Sequence, residues 1–255
     1  MTASEGFGLI VVGDEILSGK RRDRHFEGIR GLLAERGLSL AWFQVLPDDP
    51  QLLTERLRAS MAEGRPVFSC GGIGATPDDH TRACAAAAAG VSVERHPGAV
   101  AEIEARFGAE AYPTRVRMAD LPAGAALIPN PYNRIPGFAI QRHYFLPGFP
   151  DMAHPMAAWV LDTWYRDAQP PLQERSVRVE GVPESLLVGL MEQLVRDYPQ
   201  YKLFSLPRLG DPPTVELGFR GRGDLTAAYA ALCAGLDRSG YAYQPVAPAA
   251  QDAWP

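Results

Sequence analysis

Residues 7–12 (FGLIVV) form an unbroken apolar run with β-branched members, the pattern of a strand buried on both faces of a parallel sheet. The next stretch sets Phe26, Ile29, Leu32 and Leu33 on one helical face and ends at Gly37, where a C-cap glycine belongs. A second strand is predicted over Leu40–Leu46. Asp49-Pro50, an N-cap followed by proline at the first helical position, then opens a helix reaching about Gly64. A third strand, Pro66–Cys70, runs into the glycine-rich turn GGIGATPDD, and a helix follows through Ala89. Strand and helix thus alternate with short connections, which implies a parallel sheet wrapped by right-handed crossovers.

Residues 97–122 read as helical and then irregular. Short strands are predicted at Ala125–Ile128, Gly137–Gln141 and His143–Leu146, and a helix over Met152–Tyr165. Pro170-Pro171 marks a linker, and after it the order changes. Ser176–Val182 reads as a strand, Glu184–Asp197 as a helix, Lys202–Leu206 and Thr214–Arg220 as strands, Leu225–Ser239 as a helix and Tyr241–Pro245 as a last strand, with a frayed tail beyond. This βαββαβ order is the ferredoxin-like split unit. The expectation is a three-layer α/β domain over residues 1–169 and a smaller ferredoxin-like α+β domain over residues 170–255.

Composition narrows the function classes. Hydrophobic residues make up 46% of the chain and charged residues 22%, ordinary globular usage, and the net charge is −5. The chain therefore lacks the basic excess that neutralises nucleic-acid phosphates. No apolar run approaches the roughly 20 residues that cross a bilayer, and MTASEGFG has neither the basic start nor the apolar core of a signal peptide. Cys70, Cys84 and Cys233 are an odd set without metal-ligand spacing, which suits free thiols in a reducing compartment. The expected location is cytoplasmic, with no nucleic-acid or membrane partner.

Chemistry is expected at two loops leaving strand ends, because ligands of open parallel sheets bind beyond the carboxyl edge. The first is Gly13-Asp14-Glu15-Ile16-Leu17-Ser18-Gly19-Lys20. It is not a P-loop: five residues separate Gly13 from Gly19 instead of four, and Arg21 stands where the magnesium-binding hydroxyl belongs. Asp14 and Glu15 read either as a solvated turn or as oxygen ligands for a divalent metal facing a phosphate. The Lys20–Arg24 cluster reads as a solvated helix start or as a partner for a diphosphate. The second loop is Gly71-Gly72-Ile73-Gly74-Ala75-Thr76-Pro77-Asp78-Asp79, whose glycines permit close backbone approach to a ligand. Thr76 fits a helix N-cap, Pro77 the first helical position and Asp79 the capping-box acceptor, which leaves Asp78 free to reach a metal or water. His25 is a candidate to face the ligand. His80, His96, His143 and His154 show no metal spacing and read as surface or satisfied core.

Taken in order, VVGDEILSGK, VLPDDP, SCGGIGATPDDHTR, LIPNP, PGFAI and FLPGFPDM resemble the N-terminal region of the CinA competence/damage-inducible protein family. The resemblance extends from about Phe7 to Tyr165, and FSLPRLGDPPTVELGFRG carries it to about residue 245. The molybdopterin-binding fold of MoaB and MogA is similar, but their glycine loop is followed by an Arg-Asp pair where this chain has Asp78-Asp79. The resemblance implies a diphosphatase acting on ADP-ribose- or FAD-like substrates with magnesium, manganese or cobalt. It implies catalytic Asp78 and Asp79, metal ligands Asp14, Glu15 and Asp78, and ligand contacts from Gly71, Gly72, Gly74, Asn130 and Gly148, and the two loops add Gly13, Thr76 and His25 as candidate ligand contacts by their position. A pterin-binding protein like MoaB or MogA, or a pterin- or nucleotide-binding module without catalysis, is the alternative. A homo-oligomer is expected. The sequence ends before the deamidase domain of longer CinA proteins, so deamidation of nicotinamide mononucleotide is not expected of it.

Overall fold

The computed structural model describes residues 6–166, 172–208, 210 and 212–246. The Pro170-Pro171 linker and the tail from residue 247 on lie outside the described residues. The chain forms two compact units, residues 1–169 and 170–255.

The first unit opens with β1 (Phe7–Val12), buried at every position. Its side chains alternate between two cores, as strand geometry requires. Leu9 and Val11 pack with Ile29 and Leu33, whereas Ile10 and Val12 pack with Leu53 and Leu57. A one-turn helix α1 (Asp14–Leu17) follows, then α2 (His25–Glu35), β2 (Leu40–Leu46), α3 (Pro50–Glu63), β3 (Val67–Cys70) and α4 (Thr81–Ala89). The Asp49 side chain accepts from Leu52 N–H, and Gly64 closes α3 in the left-handed region at φ 69°. Next come β4 (Val93–Arg95), α5 (Pro97–Phe107), two short 3-10 turns, β5 (Asp120–Pro122), β6 (Ala126–Ile128), β7 (Gly137–Ile140), β8 (His143–Leu146) and α6 (Pro150–Trp164).

The main sheet has the order β2-β1-β3-β8-β7-β6. β1, β2 and β3 are parallel, as expected, β8 joins them in the same direction, and β7 and β6 extend the sheet through antiparallel pairs. Residues of α2 and α6 are buried in one core, and residues of α3, α4 and α5 in the other, on opposite sides of β1. This is the expected three-layer fold with a parallel-dominant sheet.

One boundary differs in a way that matters. The helix expected from Pro77 begins at Thr81. Thr81 N–H donates to Gly72 O (3.0 Å) and its hydroxyl donates to Gly71 O (3.0 Å), so α4 starts only where it is tied to the glycine turn. Residues 76–79 form a separate turn, with Asp79 N–H donating to Thr76 O at 3.1 Å. Thr76 is therefore not the N-cap of α4.

The second unit contains β9 (Leu172–Glu180), α7 (Val188–Asp197), β10 (Lys202–Arg208), β11 (Thr214–Arg222), α8 (Thr226–Arg238) and β12 (Tyr243–Val246). Its antiparallel sheet has the order β10-β11-β9-β12, with β9 and β10 flanking β11 as the split unit requires. One face packs Val177, Val179, Leu217 and Phe219 against Leu194, Leu232 and Leu236.

Candidate functional site

The carboxyl ends of β1, β2, β3 and β8 meet at one edge of the main sheet, and there the backbone approaches itself closely. Gly13 N–H donates to Leu46 O (3.0 Å), and Gly71 N–H donates to Leu146 O (3.0 Å). Gly71 has φ 111°, and a Cβ on it would lie 2.2 Å from Val12 O. Gly72 has φ 66°, and its Cβ would lie 2.3 Å from Thr81 Oγ1. A side chain is excluded at both positions by sterics and backbone conformation together. A Cβ on Gly148 would reach Gly71 Cα at 3.4 Å.

These exits frame a cleft of about 430 Å³. Its lining follows the strand order. Glu15 and Asp48 come from the loops after β1 and β2, Gly71–Asp79 from the loop after β3, and Phe149, Met152, Asn130, Asn133 and Ile135 from the β8 and β6–β7 connections. Carboxylates therefore line the cleft on the β1–β3 side, and apolar and carboxamide groups line it on the β8 and β6–β7 side.

Among the described residues, the N–H groups of Gly72, Ile73, Gly74 and Ala75 have no hydrogen-bond partner, and all four residues line the cleft. Two residues that the sequence did not single out hold this loop. Thr81 ties down its start. Arg82 Nη2 donates to Gly74 O (2.6 Å), while Nη1 donates to the carbonyls of Arg117 and Asp120. Burial lowers the pKa of the Arg82 guanidinium, the cost of using a charged group as a clamp.

Asp79 closes the loop's far side. Its carboxylate accepts from Thr76 N–H (2.8 Å) and from the Thr76 hydroxyl (2.5 Å). Asp78 is exposed at the mouth. At the other end, Asp14 N–H donates to Asp48 Oδ2 (3.0 Å) and Asp48 N–H donates to Asp14 Oδ1 (3.4 Å). Burial raises the Asp48 pKa, and the charges of Asp14, Glu15 and Asp78 add to the effect. Asp14, Glu15 and Asp78 thus share one neighbourhood with Asp48, which the sequence marks only as part of the segment VLPDDP.

Among the described residues, no three His, Cys, Asp or Glu side chains converge where a metal ion could sit. The cluster is suited at most to an ion held by one or two carboxylates and completed by ligand phosphates and water, the usual habit of magnesium.

Gly13, Glu15, Gly71, Gly72, Gly74, Thr76, Asp78, Asp79, Asn130 and Gly148 line the cleft. His25 does not. It is 3% exposed, its buried Nδ1 has no hydrogen-bond partner among the described residues, and it packs edge-on to His154 at 5.8 Å. Burial lowers its pKa, so it supports the cleft wall as a neutral ring. Asp14 stands beside the cleft and reaches it through Asp48. Arg21 supplies the only cation among the described lining residues.

The chain is similar to several known proteins. A protein of Aeropyrum pernix is 30% identical over 78% of this chain and 78% of its own length. A CinA-like protein of Geobacter sp. (strain M21) is 30% identical over 76% of this chain, and this chain spans about half the length of that relative (49%). The crystal structure of the protein CinA from Thermoplasma acidophilum matches 64% of this chain and 98% of its own with a TM-score of 0.56 and 27% identity. Residues 8–167 match the family described as "Probable molybdopterin binding domain". That match covers more than half of the sequence, and with the CinA-like relatives it shows that the chain belongs to the molybdopterin-binding-domain family, on its CinA-like branch.

Proposed function

We propose that the first unit binds a phosphate-bearing pterin of the molybdopterin type in this cleft, with the ligand phosphate on the glycine loop. One observation carries the reading: the four consecutive residues Gly72 to Ala75 line a concave site, and their backbone N–H groups are without partners among the described residues. Unpaired amides at the carboxyl edge of a parallel sheet are suited to phosphate oxygens. Arg21 adds the charge that neutral amides lack. The test is calorimetric titration with inorganic pyrophosphate and neopterin monophosphate. Arg21→Gln is expected to weaken both by about 10-fold or more, the scale of one charge-assisted hydrogen bond. Unchanged affinity would remove Arg21 from the site, and a wild-type protein that binds neither probe would end the reading.

A second reading is metal-dependent hydrolysis of a diphosphate such as ADP-ribose or FAD. The raised Asp48 among Asp14, Glu15 and Asp78 favours it, because a divalent ion relieves the mutual repulsion of carboxylates. Such an ion, bound between Glu15 or Asp78 and the ligand phosphates, would act as a Lewis acid. In this reading Asp78, exposed at the cleft mouth, orients the attacking water. Release of AMP from ADP-ribose with magnesium, manganese or cobalt, abolished by a chelator, separates hydrolysis from binding alone.

A further inference from the structure

What an anion meets on the glycine loop depends on which way each peptide unit faces. A trans peptide points its C=O and its N–H in opposite directions, so holding a carbonyl also sets the N–H of the next residue. Three of the four unpartnered N–H groups belong to units held in this way. The carbonyls of Gly71 and Gly72 accept from Thr81, which sets the N–H groups of Gly72 and Ile73. The carbonyl of Gly74 accepts from Arg82 Nη2 at 2.6 Å, which sets the N–H of Ala75. Neither Thr81 nor Arg82 lines the cleft, so both act from behind the loop.

The two anchors differ in kind. Thr81 is fully buried at the start of α4 and uses its own backbone and hydroxyl. Arg82 reaches back with a long side chain to Gly74, and a glycine leaves its flanking peptide planes the most freedom. Its Nη1 holds the carbonyls of Arg117 and Asp120. The planar fork thus ties the loop to the 3-10 turn Arg115–Ala119, which supplies Met118 to the cleft. The position is costly in free energy. Arg82 Nε is buried without a hydrogen-bond partner, and among the described residues the guanidinium forms no ion pair. An apolar side chain on α4 would avoid that penalty.

We infer that Arg82 is the positioning residue of the anion loop. Its fork holds the Gly74–Ala75 peptide so that an N–H, and not a C=O, meets the ligand phosphate, and its charge adds attraction from behind. Released from Arg82, that peptide is free to rotate and present a carbonyl to the anion, which repels it. The inference rests on the phosphate reading above and assigns the side chain that maintains it.

The experiment combines amide NMR and calorimetry of the full chain with inorganic pyrophosphate, in wild type, Arg82→Lys and Arg82→Gln, with thermal melting to check folding. Without ligand, both variants are expected to move the Ala75 resonance more than those of Gly72 and Ile73, which Thr81 still holds. Arg82→Gln is expected to weaken pyrophosphate about 10-fold, the scale on which a residue that touches no ligand alters its affinity. Arg82→Lys keeps the charge but not the fork, and its affinity is expected to fall between the two. In wild type, pyrophosphate is expected to shift the Arg82 Nε–H resonance with the same midpoint as the loop amides. A lower melting temperature with pyrophosphate affinity unchanged marks a purely structural arginine and overturns the inference. Arg82→Lys that binds as tightly as wild type overturns it too, since charge alone would then suffice. If neither variant folds, the wild-type Nε–H decides, and an unmoved resonance at saturation overturns the inference. In each of these cases the phosphate reading stands. Wild type that does not bind pyrophosphate overturns both.

Discussion

His143 is fully buried at the amino end of β8, away from the cleft. Its Nδ1–H donates to Gln141 O (3.0 Å), and Nε2 lies 2.7 Å from the Ser60 hydroxyl, which also donates to Leu57 O. Burial lowers its pKa from 6.5 to about 4. A depressed folded-state pKa stabilises above the unfolded value, and that stability is lost as pH falls toward the folded one. The first unit is therefore expected to lose up to about 3 kcal/mol through this ring between pH 6.5 and 4. Chemical denaturation across that range checks it. His143→Gln should show a shallower slope, and an unchanged slope would mean that the ring is not the titrating group. The sequence suggested a satisfied core or surface histidine here, because no metal spacing surrounded it. Thr81 and Arg82 gave no such clue. Their partners are the carbonyls of Gly71, Gly72 and Gly74, and a backbone acceptor leaves no mark on residue identity. Asp79 was half legible. Its carboxylate does reach back to Thr76 N–H, as in a capping box, but the turn it closes is not the start of α4.

At the scale of elements, the alternation of β1, β2 and β3 with their helices was readable from β1, which is buried at every position and apolar throughout, and from the cap residues Asp49 and Gly64 that bound α3. The direction of β6 and β7 was not, since short strands of three and four residues carry no sign of which way they run. The crowding of acidic loops was legible in part. Asp14 and Glu15 stood out in the sequence, whereas Asp48 needed the pairing of β1 with β2 to bring it beside them. A raised folded-state pKa contributes stability below the unfolded value, and that contribution is lost as pH rises through the folded one. Near neutral pH the charged Asp48 is therefore a net cost. Asp48→Asn keeps a side-chain oxygen for Asp14 N–H and removes the charge. It is expected to raise the melting temperature near pH 7, and the gain should vanish in acid, where the wild-type carboxyl is protonated. A lower melting temperature at pH 7 would show that the Asp48 charge is compensated in the folded chain.

For the whole molecule, the change of element order after residue 170 was visible because a parallel α/β pattern and a βαββαβ pattern differ in period and connection length. Each unit has its own buried core, and every cleft-lining residue belongs to the first. The central claim, that the glycine-loop amides hold the ligand phosphate, is tested most directly by amide NMR of the full chain during titration with inorganic pyrophosphate. Saturable shifts are predicted for the N–H groups of Gly72, Ile73, Gly74 and Ala75, with residues 172–246 unaffected. Saturable shifts elsewhere with those four resonances unmoved, or no saturable shift at all, would contradict it.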